Sequence, residues 1–442
     1  MPAGVEHERR LQHAVMAWIV TGLIFMLLPG TFLGVWNLVS ISSRRQLEGL
    51  SAAWVQAHGH AQIYGWIGTF ILGIGFYSLS KMGNLPRFAV RRAWLSWALW
   101  TPGVVLRWTA NITGFAWRMA LPLSALLELA GFLVFFATVS GHKAESGAVR
   151  KPREPWMLVV VGATCGFLLA LLANLYAVSR AAFESQTPAI AHVLDQRLLA
   201  LPVWGFLVPT VWGFNARWLP VFLGLRAPNG RQILAALALA WAAVVLALNG
   251  LALFSATLLL AAVALASFAL HIFHRPERPA KTTGVHPSFP WFVRIAWFWL
   301  AAAGGLTLWA AAADRAGGIW GASRHAVTVG FLAAMVFAVG QRVLPAFCGA
   351  RVLFSPRAMF ASLLLLNLGC ALRVGSEIPA YEGFAHAQFF WHILPVSAVT
   401  ELTAVALFAA NLLVTFCRPP AHLALHRIAH SVREMQVVET NQ

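Results

Sequence analysis

HAVTVGFLAAMVFAVGQRVLPAF, residues 325–347, decides the architecture. It is long and apolar enough to cross a bilayer, which takes about 20 residues, yet it opens on a histidine and carries Arg342 near its end. Two earlier stretches match it. A shift of 125 residues lays WGFNARWLPVF (212–222) on its end, so that Arg217 meets Arg342, Leu219-Pro220 meets Leu344-Pro345 and Phe222 meets Phe347. A shift of 140 lays Gly65 on Gly205, which falls on Gly330, and Leu79 on Leu219. Glycine matches come cheaply in a chain with 35 glycines, so the paired R-x-L-P-x-F strings carry more of the weight. The same two shifts carry His60 onto Ala200 and then onto His325.

Outward from this repeat, the chain of 442 residues is 59% hydrophobic and 11% charged, with a mean hydropathy of +0.71. A soluble domain is about 25% charged, so the composition excludes a water-soluble enzyme and a disordered chain. Twelve apolar runs lie at about 14–35, 53–79, 92–106, 119–140, 156–178, 193–215, 232–248, 251–273, 290–312, 325–346, 358–372 and 386–416. The first follows Arg9 and Arg10 without a small-x-small cleavage signal, and reads as a helix rather than a signal peptide. Polar linkers at 142–155 and 274–290 cut the chain into thirds of four helices. The expected fold is all-α: one integral membrane domain over 1–442, twelve transmembrane helices in three pseudo-symmetric arcs, with repeat units near 1–150, 151–285 and 286–442.

The formal net charge is +17, but its cations are scattered between apolar runs rather than gathered in a patch, so the partner expected is the lipid bilayer and not nucleic acid. Of 32 Lys and Arg, 23 fall on the side that holds both termini and 9 on the other. Basic residues favour the cytoplasm, which places both termini there. Cys165, Cys348, Cys370 and Cys417 show no C-x-x-C spacing and read as packed thiols.

Ionisable groups inside a bilayer are functional candidates by default. His58, His60, His325 and His392 lie within runs, and His192 and His386 at their mouths, all toward the outer side. Residues two apart on a helix point about 200° apart, so His58 and His60 cannot face one ligand; the repeat selects His60. Gly59 and Gly65 leave room for a flat group. Two imidazoles at equal depth, His60 and His325, can clamp an iron porphyrin, or each can hydrogen-bond a neighbouring helix. Arg107, Arg315, Arg324 and Arg373 lie on the outer side, where porphyrin propionates need donors or where loops carry ordinary solvated charge. Trp54, Trp66, Trp108 and Trp117 fit an interfacial belt. Glu128 and Glu401 are buried carboxylates, either structural and protonated or part of a proton path. A second metal would draw on His58, His192, His386 and His392; His386 and His392, about 240° apart on one helix, do not suit one ion together.

Twelve helices, three arcs and histidines on helices two and ten resemble the catalytic subunit of haem–copper oxidases and nitric oxide reductases. The resemblance implies His60 and His325 as axial ligands of a low-spin haem. The chain departs from that pattern in having Ala200 on helix six where a copper ligand is expected, no histidine on helix seven, and Ser323 two residues before His325. The usual binuclear centre is therefore missing from its usual place. The strings at 58–83, 212–222 and 325–347 resemble the NnrS family of bacterial membrane proteins. That resemblance implies an inner-membrane b-type haem protein acting in nitric oxide response or tolerance, or in electron transfer. It would carry haem b and copper, with nitric oxide or another small gas as ligand and a quinol or cytochrome as electron donor. The alternatives are a reductase of nitric oxide or oxygen with a displaced metal site, and a solute transporter. Transporters usually show two-fold repeats with a midplane site.

Overall fold

The structure, a computed structural model, describes residues 3–46, 49–82, 88–140, 154–349 and 351–419. All regular elements among these are helical, and they join into twelve rods. Helix one is Ala3–Phe25, a π-helical Met26–Phe32 and Leu33–Arg44. Helix two is Ala52–His60, a π-helical Ala61–Gly68 and Thr69–Met82. Helices three, four and five are Arg91–Thr113, Trp117–Ser140 and Pro155–Glu184. Helix six is His192–Leu198, a π-helical Leu201–Leu207 and Val208–Leu223. Helices seven, eight and nine are Gly230–Leu248, Ala252–Ala269 and Phe289–Ala313. Helix ten is Gly318–His325, two π-helical stretches (Ala326–Ala333 and Val336–Gly340) and Gln341–Phe347; helices eleven and twelve are Pro356–Tyr381 and Ala387–Cys417.

Each apolar run of the sequence falls on one rod. Ten of the rods are long and apolar enough to cross a membrane. The two outside that count are helix two, which carries Gln56, His58, His60 and Gln62, and helix three, which carries Arg91, Arg92 and Arg107. The third and eleventh runs, expected to be short, correct to full helices. Their apolar text breaks at Arg107 and Arg373, but both arginines are buried in the bundle, so the helix continues past them.

The rods pack in chain order, and helix one closes the ring against helix twelve. Helices six and ten are the innermost of the ten: 72% and 78% of their apolar windows are buried, against 50% or less for the other eight. Helix two joins them, since from Ala61 to Phe70 only Gln62 is not fully buried. On all three inner helices a π-helical stretch begins one residue after a repeat position: Ala61 after His60, Leu201 after Ala200, Ala326 after His325. Wide turns of this kind carry one extra residue and recur at functional sites. The linker at 142–155 lies almost wholly outside the described residues. The linker at 274–290 folds onto helix six, with the Glu277 and Arg278 amides donating to Gly224 O and the Lys281 amide to Phe222 O.

At the end of the bundle where helices two, six, ten and twelve begin, the segment after helix five is pinned down. Gln56 both donates to Ile190 O at 2.8 Å and accepts from its amide at 2.9 Å. Asn111 Nδ2 donates to Pro188 O at 2.5 Å. This is the end that carries the six candidate histidines.

Candidate functional site

His58 and His325 are held alike. The Nδ1 of His58 lies 2.9 Å from Gly30 O on helix one. The Nδ1 of His325 lies 3.0 Å from Gly321 O, one turn back on its own helix. An imidazole anchored to a carbonyl through one nitrogen presents the other as a lone-pair donor, the usual state of a metal-binding histidine. His58 lies within electrostatic range of His325 on helix ten and Arg373 on helix eleven. Room for the His58 ring comes from Gly34, where a Cβ would stand 2.5 Å from His58 Cε1.

His60 is held differently. Its Nε2 is 2.7 Å from Glu128 Oε1 on helix four, with both residues buried. Its ring stacks on Tyr64 at 4.6 Å and 19°. The 200° offset expected along helix two therefore sends the two histidines into different compartments: His58 toward helices one and ten, His60 toward helix four.

The arginines divide the same way. Arg373 donates from Nη2 to Glu377 Oε1 at 3.0 Å, and Glu377 Oε2 lies 3.3 Å from His325 Nδ1. Arg373 is 7% exposed, and its Nε and Nη1 are buried without a partner. Arg107, 2% exposed on helix three, also leaves Nε and Nη1 unpartnered. Arg324 hydrogen-bonds Gln196 on helix six, and Asp195 lies in electrostatic range of both Arg107 and Arg324.

A second internal match ties these groups together. Helix four reads L-P-x-S-A-x-x-E-L over 121–129 and helix twelve repeats it over 394–402; helices three and eleven share G-x-x-x-R at 103–107 and 369–373. The packing follows the text. A Cβ at Gly103 would stand 2.9 Å from Glu128 Cγ, and one at Gly369 2.5 Å from Glu401 Cγ. Glu128 Oε2 and Glu401 Oε1 are both buried and unpartnered. Histidine, arginine and glutamate thus recur as a set, His60–Arg107–Glu128 and His325–Arg373–Glu401. Glu377, which contacts both Arg373 and His325, is a residue that reading for histidines misses; its spacing of four from Arg373 on one helix face was the available signal.

The remaining candidates stay apart. His192, His386 and His392 are exposed, and His386 sits at φ +64° ahead of helix twelve. Among the described residues no three His, Cys, Asp or Glu side chains form a metal-binding group. This donor set does not fit a copper centre. A haem fits better: two imidazoles with Nε2 uncommitted, and beside them a buried guanidinium with two free N–H groups of the kind a propionate takes.

Comparison with known proteins follows this geometry. Residues 202–416, just under half of the chain, match the model of a family described as a domain of unknown function, DUF8744. No curated protein matches the chain. Among solved structures it is similar to a haem–copper terminal oxidase determined as a dimer by cryo-electron microscopy, with a TM-score of 0.65 and 14% identity over 93% of this chain and 85% of that one. The fold is that of a haem–copper oxidase subunit, in a multi-pass membrane protein.

Proposed function

We propose that this membrane protein holds one b-type haem between His58 of helix two and His325 of helix ten. The observation that carries the reading is the matched anchoring of both rings through Nδ1 to a backbone carbonyl, at 2.9 and 3.0 Å. Of the two helix-two histidines, His58 is favoured over His60, whose Nε2 is committed to Glu128. When bound, an iron porphyrin supplies one-electron chemistry, and a small gas would bind only where one of the two histidines gives way. The chain's own groups set its surroundings. Arg373 offers Nε and Nη1 to a propionate while Glu377 fixes its other end and steadies His325. Gly34 keeps helix one clear of the His58 ring.

The finer role is nitric oxide response or electron transfer at a bacterial inner membrane with both termini cytoplasmic, as the NnrS resemblance implies, the donor being a quinol or a cytochrome. The three four-helix repeat units belong to the same reading; they are supported by the π-helical stretches that begin at Ala61, Leu201 and Ala326. No described residue group favours a displaced copper site.

Reduced-minus-oxidised absorption spectra of the detergent-purified protein test the proposal. A six-coordinate b-type spectrum is expected, lost in His58→Ala and His325→Ala and kept in His60→Ala. A colourless folded protein, or a spectrum indifferent to His58→Ala, overturns it.

A further inference from the structure

We infer that the half of the bundle away from the histidines contains a binding cavity for an uncharged apolar gas of two or three atoms, dioxygen and nitric oxide included. The inference does not rest on the haem reading. The cavity lies between helices two, four, five and six, and Ile71, Leu79, Phe132, Phe135, Thr164 and Phe214 are among the residues that line it. Its lining covers 71–79 of helix two and 132–135 of helix four, in the halves that lead away from the histidine end. Toward the histidine end it is closed by Phe167 and Phe206, whose rings stack at 3.9 Å and 3°. Tyr64, on which the His60 ring stacks, stands 6.0 Å from Phe167.

Size and chemistry decide the ligand. About 20 Å³ is open to the centre of a water-sized molecule, and about 10–15 Å³ of such room holds one water. That admits a molecule of two or three atoms and excludes a quinone ring, an acyl chain or a porphyrin. Among the described residues on its walls none is charged, and the polar side chains are Thr164 and Thr210. Both hydroxyls are spent on carbonyls one turn back, Thr164 on Val160 O at 2.7 Å and Thr210 on Phe206 O at 2.8 Å. A water would find no side-chain donor there, although an ordered one needs about two to four polar partners, and an ion would find no counter-charge. A cavity of this kind stays dry and takes xenon or another small apolar guest. Its aromatic walls brace one another and keep the space open: Phe132 meets Phe167 edge-on at 5.1 Å, and Phe76 meets Phe135 at 5.0 Å. Ile71, Leu79, Thr164 and Phe214 are only half-buried, which leaves the gas a way in.

The test uses xenon as a monatomic stand-in, in crystals of the purified full chain held under xenon pressure and read by anomalous diffraction. A xenon peak between Phe132, Phe167 and Thr210 is expected for the wild type. It is expected to persist in Thr210→Val, which removes the hydroxyl with little change of volume. It is expected to be lost in Thr210→Leu and in Thr164→Leu, which fill the space from two different helices, so that one variant serves if the other does not fold. Absence of the peak in the wild type overturns the inference, as does ordered water or a lipid chain in the cavity. So does a peak of equal occupancy in the wild type and either folded leucine variant.

Discussion

Arg107 and Arg373 stand on helices three and eleven, on opposite sides of the chain's middle, and leave the same two nitrogens, Nε and Nη1, buried without a partner. Only Arg373 is offered a carboxylate by its own helix. One turn beyond the arginine, helix eleven has Glu377 where helix three has Asn111. Arg107 has its nearest opposite charges on other elements instead, Glu128 of helix four and Asp195 of helix six.

The His60–Glu128 contact links helices two and four through a fully buried bond. Glu128→Leu should cost about 3–5 kcal/mol by stranding the imidazole. The double variant His60→Phe with Glu128→Leu should recover most of that loss. Chemical or thermal unfolding of the two variants checks this; equal losses in both would show that the pair is not coupled.

Gly103→Ala and Gly369→Ala each drive a Cβ into a glutamate Cγ and the backbone beside it. Each should cost about 1–3 kcal/mol as an overpacked contact. Gly59→Ala has open space around it and should stay within about 0.5 kcal/mol of the wild type. A Tm that falls equally in all three would contradict the close helix–helix approach.

Gly34→Ala places a methyl group against the His58 ring. The expected result is a protein that folds but has an altered or diminished haem spectrum, because the ring is pushed away from its Gly30 anchor. An unchanged spectrum would separate helix one from the pigment.

His271 lies in the turn after helix eight, at φ +55°. Partial burial, with His274 and Arg226 nearby, holds its imidazole below the usual histidine range. Its charged form is therefore disfavoured in the fold, and stability is lost as pH falls below about 6.5, where the unfolded chain takes up the proton more readily. His271→Asn removes the titration and tolerates the left-handed backbone. Thermal unfolding at pH 7.5 and 5.5 should show a smaller drop for the variant than for the wild type; an equal drop rejects the assignment.

Much of this architecture is written in the sequence. Apolar runs of bilayer length suffice for the rods, and the R-x-L-P-x-F strings fall on helices six and ten, the most buried of the ten membrane-length rods. The ends of helices three and eleven were not legible from hydropathy, because Arg107 and Arg373 interrupt the apolar text while facing inward. Register picks out His60 and His325, but the direction of a ring depends on which neighbour offers a partner. The carbonyl of Gly30 for His58 and the carboxylate of Glu128 for His60 lie far away in the chain. The L-P-x-S-A-x-x-E-L pair was present in the text all along; it points to Glu128 and Glu401 without naming what they contact.

The wide turns that follow His60 and His325 have a mechanical corollary. Each absorbs a surplus residue, so trimming one amino acid from 61–68 or 326–333 would tighten the coil to a regular pitch and leave the halves on either side facing much as before. The same deletion in a regular stretch of either rod, with no wide turn to take it up, would rotate the tip against the far half by about 100°.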